Sequence, residues 1–260
     1  MQTITASENS SCTVFNVQGD SINYMIAPTN VKILTVHAPI LHENNTNFNM
    51  LSNQEKIYLY GCNRLTTFNP SITYLDTLEY HRLDTLSTSN LPSGATPTKR
   101  MIIDSCRNFN PNINGGTFRT LTLDFLSTWT TTPNVSNTIL KNLTITNNPL
   151  IAQIIFNNDS LLNVTITGND TLNNVDLSNN PNLVSPTITG RNLKTLNLSG
   201  CALSQTAVDT ILAYLATLQA SVLSGATYSF NGGTSASPTG GINNTDKLII
   251  EAAGGTVNIN

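Results

Sequence analysis

Four stretches decide the fold: Leu143-Thr-Ile145-Thr-Asn-Asn148-Pro-Leu150, Val164-Thr-Ile166-Thr-Gly-Asn169-Asp-Thr-Leu172, Val175-Asp-Leu177-Ser-Asn-Asn180-Pro-Asn-Leu183 and Leu196-Asn-Leu198-Ser-Gly-Cys201-Ala-Leu203. Each reads apolar-x-apolar-x-x-Asn/Cys-x-(x)-Leu. Weaker copies begin at Ile154 and near Pro186, so the starts at 143, 154, 164, 175, 186 and 196 step by 10 or 11 residues. Two steps make about 21 residues, one circuit of a stacked coil. Upstream only the long step survives, at Leu34, Ile57, Leu78, Met101 and Leu121. The period predicts one solenoid with a strand on one side throughout and a second strand in the later coils.

The motif's residue types follow from that geometry. In each short strand positions i and i+2 face inward and stack on their equivalents about 4.8 Å away. The Asn at i+5 turns inward, where its amide can satisfy backbone groups that the bend leaves unpaired. Leucine-rich repeats place Asn or Cys there. Cys62, Cys106 and Cys201 fall on that slot and no CxxC pair occurs, so they read as reduced, buried, structural thiols rather than metal ligands or disulfides. Cys12 lies outside the repeats. The expected fold is mainly β, a leucine-rich-repeat-like β-solenoid of ~21-residue coils. It is divided into an N-terminal β cap (1–30), the solenoid (31–203) and a C-terminal α/β capping unit (204–260).

Composition narrows the function. Lys and Arg total 12 against 15 Asp and Glu, a formal net charge of −3, and only 10% of the 260 residues are charged, against roughly 25% in average domains. The 37 Asn, 38 Thr and 22 Ser supply a neutral polar surface in their place. With no Lys/Arg cluster to neutralise phosphates, nucleic acid is not an expected partner. No apolar run approaches the roughly 18 residues of a membrane span, so membrane insertion is not expected, and Met1-Gln2-Thr3-Ile4-Thr5 lacks the basic and apolar regions of a signal peptide. Asn-x-Ser/Thr occurs nine times, which is what an Asn-, Ser- and Thr-rich chain produces by chance.

At the C-terminal end Ser204 or Thr206 can cap a helix whose apolar stripe is Ala207, Ile211, Leu212, Leu215 and Leu218. A strand is expected at 226–230, a short helix near 245–253 and a closing strand at 256–259. The last repeat, Leu196 to Leu203, thus runs into Ala207-Val-Asp-Thr-Ile-Leu212. Phe230-Asn-Gly-Gly-Thr234, Ser237-Pro-Thr-Gly240 and Gly254-Gly-Thr-Val-Asn-Ile-Asn260 follow. That succession resembles the terminal unit of leucine-rich-repeat-like virion proteins of bacteriophages, including tail and baseplate components, over roughly residues 140–260. Where that family often has an aromatic residue before the final Val, this chain has Gly255-Thr256. The resemblance implies a place in or on a virus particle and no particular activity.

Outward positions i+1 and i+3 can be read coil by coil. From the second coil they are Tyr58 and Tyr60, Glu79 and His81, Ile102 and Asp104, then Thr122 and Asp124. The candidate binding face is therefore Tyr58, Tyr60, Glu79, His81, Asp104 and Asp124, stacked within about 15 Å at the rung spacing. His37, His42, Arg82 and Trp129 make the same region the chemically richest of the chain. Aromatic and carboxylate side chains together suit sugars or a polar protein surface; ordinary strand decoration is the plain alternative. Asp104 and Asp124 on consecutive coils approach the separation a glycosidase needs, but long inserted loops that could wall a cleft are missing. No Gly-rich phosphate loop, HExxH or Gly-x-Ser-x-Gly motif occurs. The three histidines read as surface residues rather than metal ligands. Thr144-x-Thr146, Thr165-x-Thr167 and Thr187-x-Thr189 repeat on one outward face, an arrangement that resembles the ice-binding face of insect antifreeze solenoids and equally suits plain exposed strand.

The expectation is a non-enzymatic phage virion structural and binding protein, without metal or cofactor. Its solenoid face would dock other virion proteins or a host surface glycan or protein, in a tail, fibre or baseplate position. The alternatives are a capsid decoration or head-fibre protein, a polysaccharide depolymerase and a secreted leucine-rich-repeat adhesin.

Overall fold

The computed structural model describes residues 2–5, 13–27, 31–41, 46, 54–68, 75–89, 98–109, 118–130, 139–157 and 160–260. Cys12 and His42 lie outside the described residues. The chain divides into two compact units, Met1–Thr131 and Thr132–Asn260.

The first unit contains β1 (Gln2–Thr5), β2 (Val14–Gln18), β3 (Ile22–Ile26), β4 (Ile33–His37), β5 (Lys56–Tyr60), β6 (Thr67–Phe68), β7 (Thr77–His81), β8 (Thr88–Ser89), β9 (Thr98–Asp104) and β10 (Phe118–Asp124). Strands β2, β4, β5, β7, β9 and β10 form a parallel ladder in that order. Ile57 stands opposite Leu78, and Leu78 opposite Met101, so one rung follows another after a coil of about 21 residues. The inward positions are Leu34 and Val36, Ile57 and Leu59, Leu78 and Tyr80, Met101 and Ile103, and Leu121 and Leu123, all buried. At roughly 1.5–3 kcal/mol for each large apolar side chain, these two columns supply a large share of the unit's driving force, and the buried side chains of the bends, Leu65, Phe68, Leu83, Leu86, Phe109 and Trp129 among them, add to it. The N-terminal strands cap the ladder by joining it: β2 pairs with β4 from Val14 to Gln18, while β1 pairs with β3. A second short parallel pair, β6 with β8, lies in coils where one strand was expected.

The second unit contains β11 (Asn142–Thr146), β12 (Gln153–Ile155), β13 (Asn163–Thr167), β14 (Asn174–Asp176), β15 (Thr187–Ile188), β16 (Thr195–Asn197), α1 (Gln205–Ala216), α2 (Ala220–Leu223), β17 (Thr227–Ser229), α3 (Thr245–Ala252) and β18 (Thr256–Asn258). The half-period of 10 or 11 residues is the alternation between two parallel ladders, β11-β13-β15 and β12-β14-β16-β17-β18. Both strands of each coil are thus present. Ser204 caps α1, accepting from the Ala207 N–H at 3.2 Å. The helix buries Ala207, Val208, Ile211, Leu212 and Leu215. The C-terminal unit continues the ladder rather than merely covering it, because β17 pairs with β16 and β18 with β17, all parallel. Gly233 sits at φ 61°, and a Cβ there would come 2.3 Å from the Cys201 carbonyl oxygen, so only glycine fits.

One device recurs at the end of the strands. The residue at i+4 has left-handed backbone: Gly61, Arg82, Ser105 and Phe125 in the first unit, Asn147, Gly168, Asn179 and Gly200 in the second. Its N–H donates to a carbonyl of the next coil, as from Gly61 to His81 at 2.8 Å, Arg82 to Asp104 at 3.0 Å and Asn179 to Ser199 at 2.8 Å. The next residue, i+5, is buried: Cys62, Leu83, Cys106 and Leu126, then Asn148, Asn169, Asn180 and Cys201. The buried amides satisfy the corner. Asn180 Nδ2 donates to the Phe156 and Leu177 carbonyls at 2.9 and 2.8 Å, and its Oδ1 accepts from the Leu161 N–H at 3.2 Å. Cys62, Cys106 and Cys201 are unpaired and buried. Burial is the leading cause that raises their thiols to about 11, 12 and 11.

Two measurements check this account. Asn180→Ala takes the side-chain partner from the Phe156 carbonyl and the Leu161 N–H, while the Leu177 carbonyl keeps the Cys201 thiol at 3.3 Å. It is expected to cost about 2 kcal/mol, lowering Tm by roughly 5 °C, whereas exposed Asn182→Ala leaves Tm unchanged. Iodoacetamide at pH 8 should modify none of the three core cysteines in the native protein within the time that labels them fully in urea, because the thiolate is scarce below the raised values.

Candidate functional site

The candidate face lies on the ladder of the first unit, and its register is the one the alternation predicts. Tyr58 pairs with Glu79, Tyr60 with His81, His81 with Asp104, and Asp104 with Asp124. Inward neighbours are fully buried while these six are partly exposed, so the pleat alone puts them on one surface.

His81 joins three rungs. Its ring stacks on Tyr60, with centroids 4.9 Å apart and planes 6° from parallel. Its Nδ1 lies 3.3 Å from Asp104 Oδ2 and its Nε2 3.3 Å from Glu79 Oε2. A neutral imidazole donates to one of these carboxylates and an imidazolium to both. Glu79 is only 13% exposed and its other oxygen lies 3.0 Å from Arg100 Nε. Asp104 Oδ1 accepts from the Ser105 hydroxyl at 2.7 Å. Burial first, then the Glu79 carboxylate and Tyr58, push the Tyr60 hydroxyl above the usual phenol range, against a smaller opposing pull from Arg100.

Beside this cluster runs a groove of about 700 Å³ built from five successive rungs: Asn16 and Gln18 on β2, Thr35 and His37 on β4, Tyr60 at the end of β5 with Gly61 after it, His81 at the end of β7 with Arg82 after it, and Asp104 on β9. A smaller concavity of about 350 Å³ adjoins it around the corner, sharing His37, Gly61 and Arg82 and adding Asn63, Asp84 and Arg107. Gly61 opens the passage between them: a Cβ there would stand 3.3 Å from the His37 ring.

Comparison with protein-family models, with curated proteins and with solved structures finds no match to this chain. The site is therefore read from its own geometry.

Of the six expected residues, Tyr60, Glu79, His81 and Asp104 are held together by contact. Tyr58 acts on Tyr60 electrostatically, and Asp124 is the register neighbour of Asp104. Tyr60, His81 and Asp104 line the groove. Trp129 does not belong to the face. It is fully buried, its backbone N–H donating to the Leu126 carbonyl at 3.2 Å, as the backbone N–H of Phe109 does to Cys106 one coil earlier. Arg100 was missed because the outward positions were counted from Met101, whereas β9 begins at Thr98; the same two-residue alternation places Arg100 outward. The passage at Gly61 and the turned-out Arg82 depend on a backbone conformation that residue identity did not announce.

As for acid–base chemistry, both oxygens of Asp104 already have partners, His81 and Ser105. Among the described residues no group of three or more His, Cys, Asp or Glu side chains is placed to hold a metal, and no helix is long and apolar enough to cross a membrane. The threonine rows of the second unit are in register, Thr144 with Thr165 and Thr187, and Thr146 with Thr167. What the first unit's face offers is a fixed, hydrogen-bonding groove with one phenol ring, two imidazoles and a mixture of charges.

Because the Glu79 carboxylate disfavours a second negative charge at Tyr60, Glu79→Gln should lower the Tyr60 titration midpoint toward that of an ordinary phenol. NMR of ring-labelled tyrosine across pH 8–12 measures it, and an unmoved midpoint would remove Glu79 from the causes and leave burial and Tyr58.

Proposed function

We propose that the protein is a non-enzymatic virion component, in a tail, fibre or baseplate position, whose first unit docks a host surface glycan or protein. The observation that carries the docking role is the His81 cluster, which ties three rungs together beside a groove of about 700 Å³. That volume lies within the range of ligand pockets, roughly 300–1,000 Å³. The ladder holds the lining side chains at fixed spacing, so little conformational entropy is lost on contact. The engaged state of Asp104 favours binding over glycoside hydrolysis, which needs a free acid and a free base or nucleophile. The virion setting rests on the resemblance of the C-terminal succession to phage tail and baseplate proteins.

The test pairs location with mutation. Cryo-electron microscopy of whole particles from the source should trace the chain at a tail tip, fibre or baseplate. Tyr60→Ala and His81→Ala should each weaken attachment at least tenfold while the particle still assembles. Density on capsomers would turn the same face into a lattice contact or a decoration. Unchanged attachment in both variants would remove the docking role from this face.

A further inference from the structure

The charges around the groove do not cancel evenly, and the residue left over says what kind of ligand the groove takes. Each carboxylate there is already engaged. Glu79 has Arg100 at 3.0 Å and His81 at 3.3 Å. Asp104 has His81 at 3.3 Å and the Ser105 hydroxyl at 2.7 Å. Asp84, in the adjoining concavity, has Arg107 at 3.7 Å. Arg82 has no ion-pair partner among the described residues, and it is the one guanidinium that lines both concavities. Its backbone is held at φ 55° with its N–H donated to the Asp104 carbonyl. A left-handed backbone at a long side chain costs of order 1 kcal/mol or more, and here it points the chain's outward turn at the mouth of the groove. Gly61 stands one rung away in the same column of left-handed residues, with the His37 ring beside it.

We infer that the groove is a subsite for an acidic saccharide, with the carboxylate, sulfate or phosphate of the sugar paired to Arg82 at the junction of the two concavities. This rests on the docking reading given above. The rest of the lining suits hydroxyl groups: Asn16, Gln18 and Thr35 offer neutral donors and acceptors, and Tyr60 supplies a flat apolar surface against which a sugar ring packs. Five rungs at about 4.8 Å make the groove about 19 Å long, which fits an extended chain of a few sugar rings, whereas a flat protein surface cannot follow the concavity around the corner at Gly61. The planar fork of arginine pairs with an oxyanion through two parallel hydrogen bonds, which fixes the orientation of the acidic residue as well as holding it.

The experiment uses the full chain, wild type, Arg82→Gln and Tyr60→Ala, on an array of neutral oligosaccharides beside their carboxylated, sulfated and phosphorylated counterparts, with titration calorimetry on the best pair. Arg82→Gln changes an exposed side chain and keeps the fold, which thermal melting checks. The inference expects wild type to favour acidic over neutral members at least tenfold, Arg82→Gln to erase that preference, and Tyr60→Ala to weaken both classes. Equal binding of neutral and acidic members, or an acid preference that survives in Arg82→Gln, overturns the acidic subsite and leaves the docking face standing. If wild type retains no glycan while Tyr60→Ala and His81→Ala still weaken particle attachment, the saccharide is wrong and a protein receptor is the ligand. If neither assay responds, both readings fall.

Discussion

Everything in this structure depends on how the chain turns the corner after each strand. A parallel ladder needs a bend at every rung, and each bend exposes backbone N–H and C=O groups that water cannot reach. The chain solves this twice over. A left-handed residue aims its N–H at a carbonyl of the next coil, and the following side chain turns in to meet what remains. In the second unit the solution is cooperative. Asn169 Oδ1 accepts from the Asn148 N–H at 2.9 Å, while Asn169 Nδ2 donates to the Ile145 and Thr167 carbonyls, so one coil's corner is completed by the next. In the first unit the slot holds Cys or Leu. Cys106 Sγ still reaches the Asp104 carbonyl at 3.3 Å, but Leu83 and Leu126 contribute burial alone, and their corners rest on the backbone bonds.

The period was legible because a solenoid writes the same physical demand into the chain at every turn. Repeat starts at 143, 154, 164, 175, 186 and 196 fall on or within two residues of the strands they predict, β11 to β16. The inward Asn and Cys were legible for the same reason: few side chains can be both buried and able to hydrogen-bond a bend. The left-handed column was not, because Gly, Arg, Ser, Phe and Asn share no chemistry, only a backbone state. Trp129 was counted toward the chemistry of the region around the face, but it is a core residue. Its spacing from Leu126 equals that of Phe109 from Cys106 and Leu86 from Leu83, which assigns it to the core. The six face residues were legible from alternation alone, but alternation says which surface a side chain joins, not which neighbours it bonds. That is why the His81 bridge and the part played by Arg100 required coordinates.

The same stacking that builds the core also composes the surface. Outward residues inherit the rung spacing, so a side chain chosen at one coil meets its equivalents directly above and below at about 4.8 Å. A column of like charges at that spacing is costly, and over three rungs the first unit alternates kinds: Tyr60, His81 and Asp104 follow one another along the i+3 column, with Glu79 and Arg100 offset to the side, before Asp124 sets a second carboxylate beside Asp104. Stacking and hydrogen bonding then hold these side chains in single arrangements before any ligand arrives.

Corner and groove are consequently one device. Gly61 precedes Cys62, Arg82 precedes Leu83 and Ser105 precedes Cys106, so the residues that shape the groove's mouth are the left-handed residues of the bends, and the residues that anchor them are the buried slots directly after. A cavity made at Leu83 would therefore release strain at Arg82 as well as lose burial, and the effect would reach the groove without touching its lining. On a surface built mostly of Asn, Thr and Ser, with 10% charged residues in the chain, there is little other field to mask an oriented guanidinium. Rigidity at the corners, more than the number of polar groups, sets how selective such a face can be.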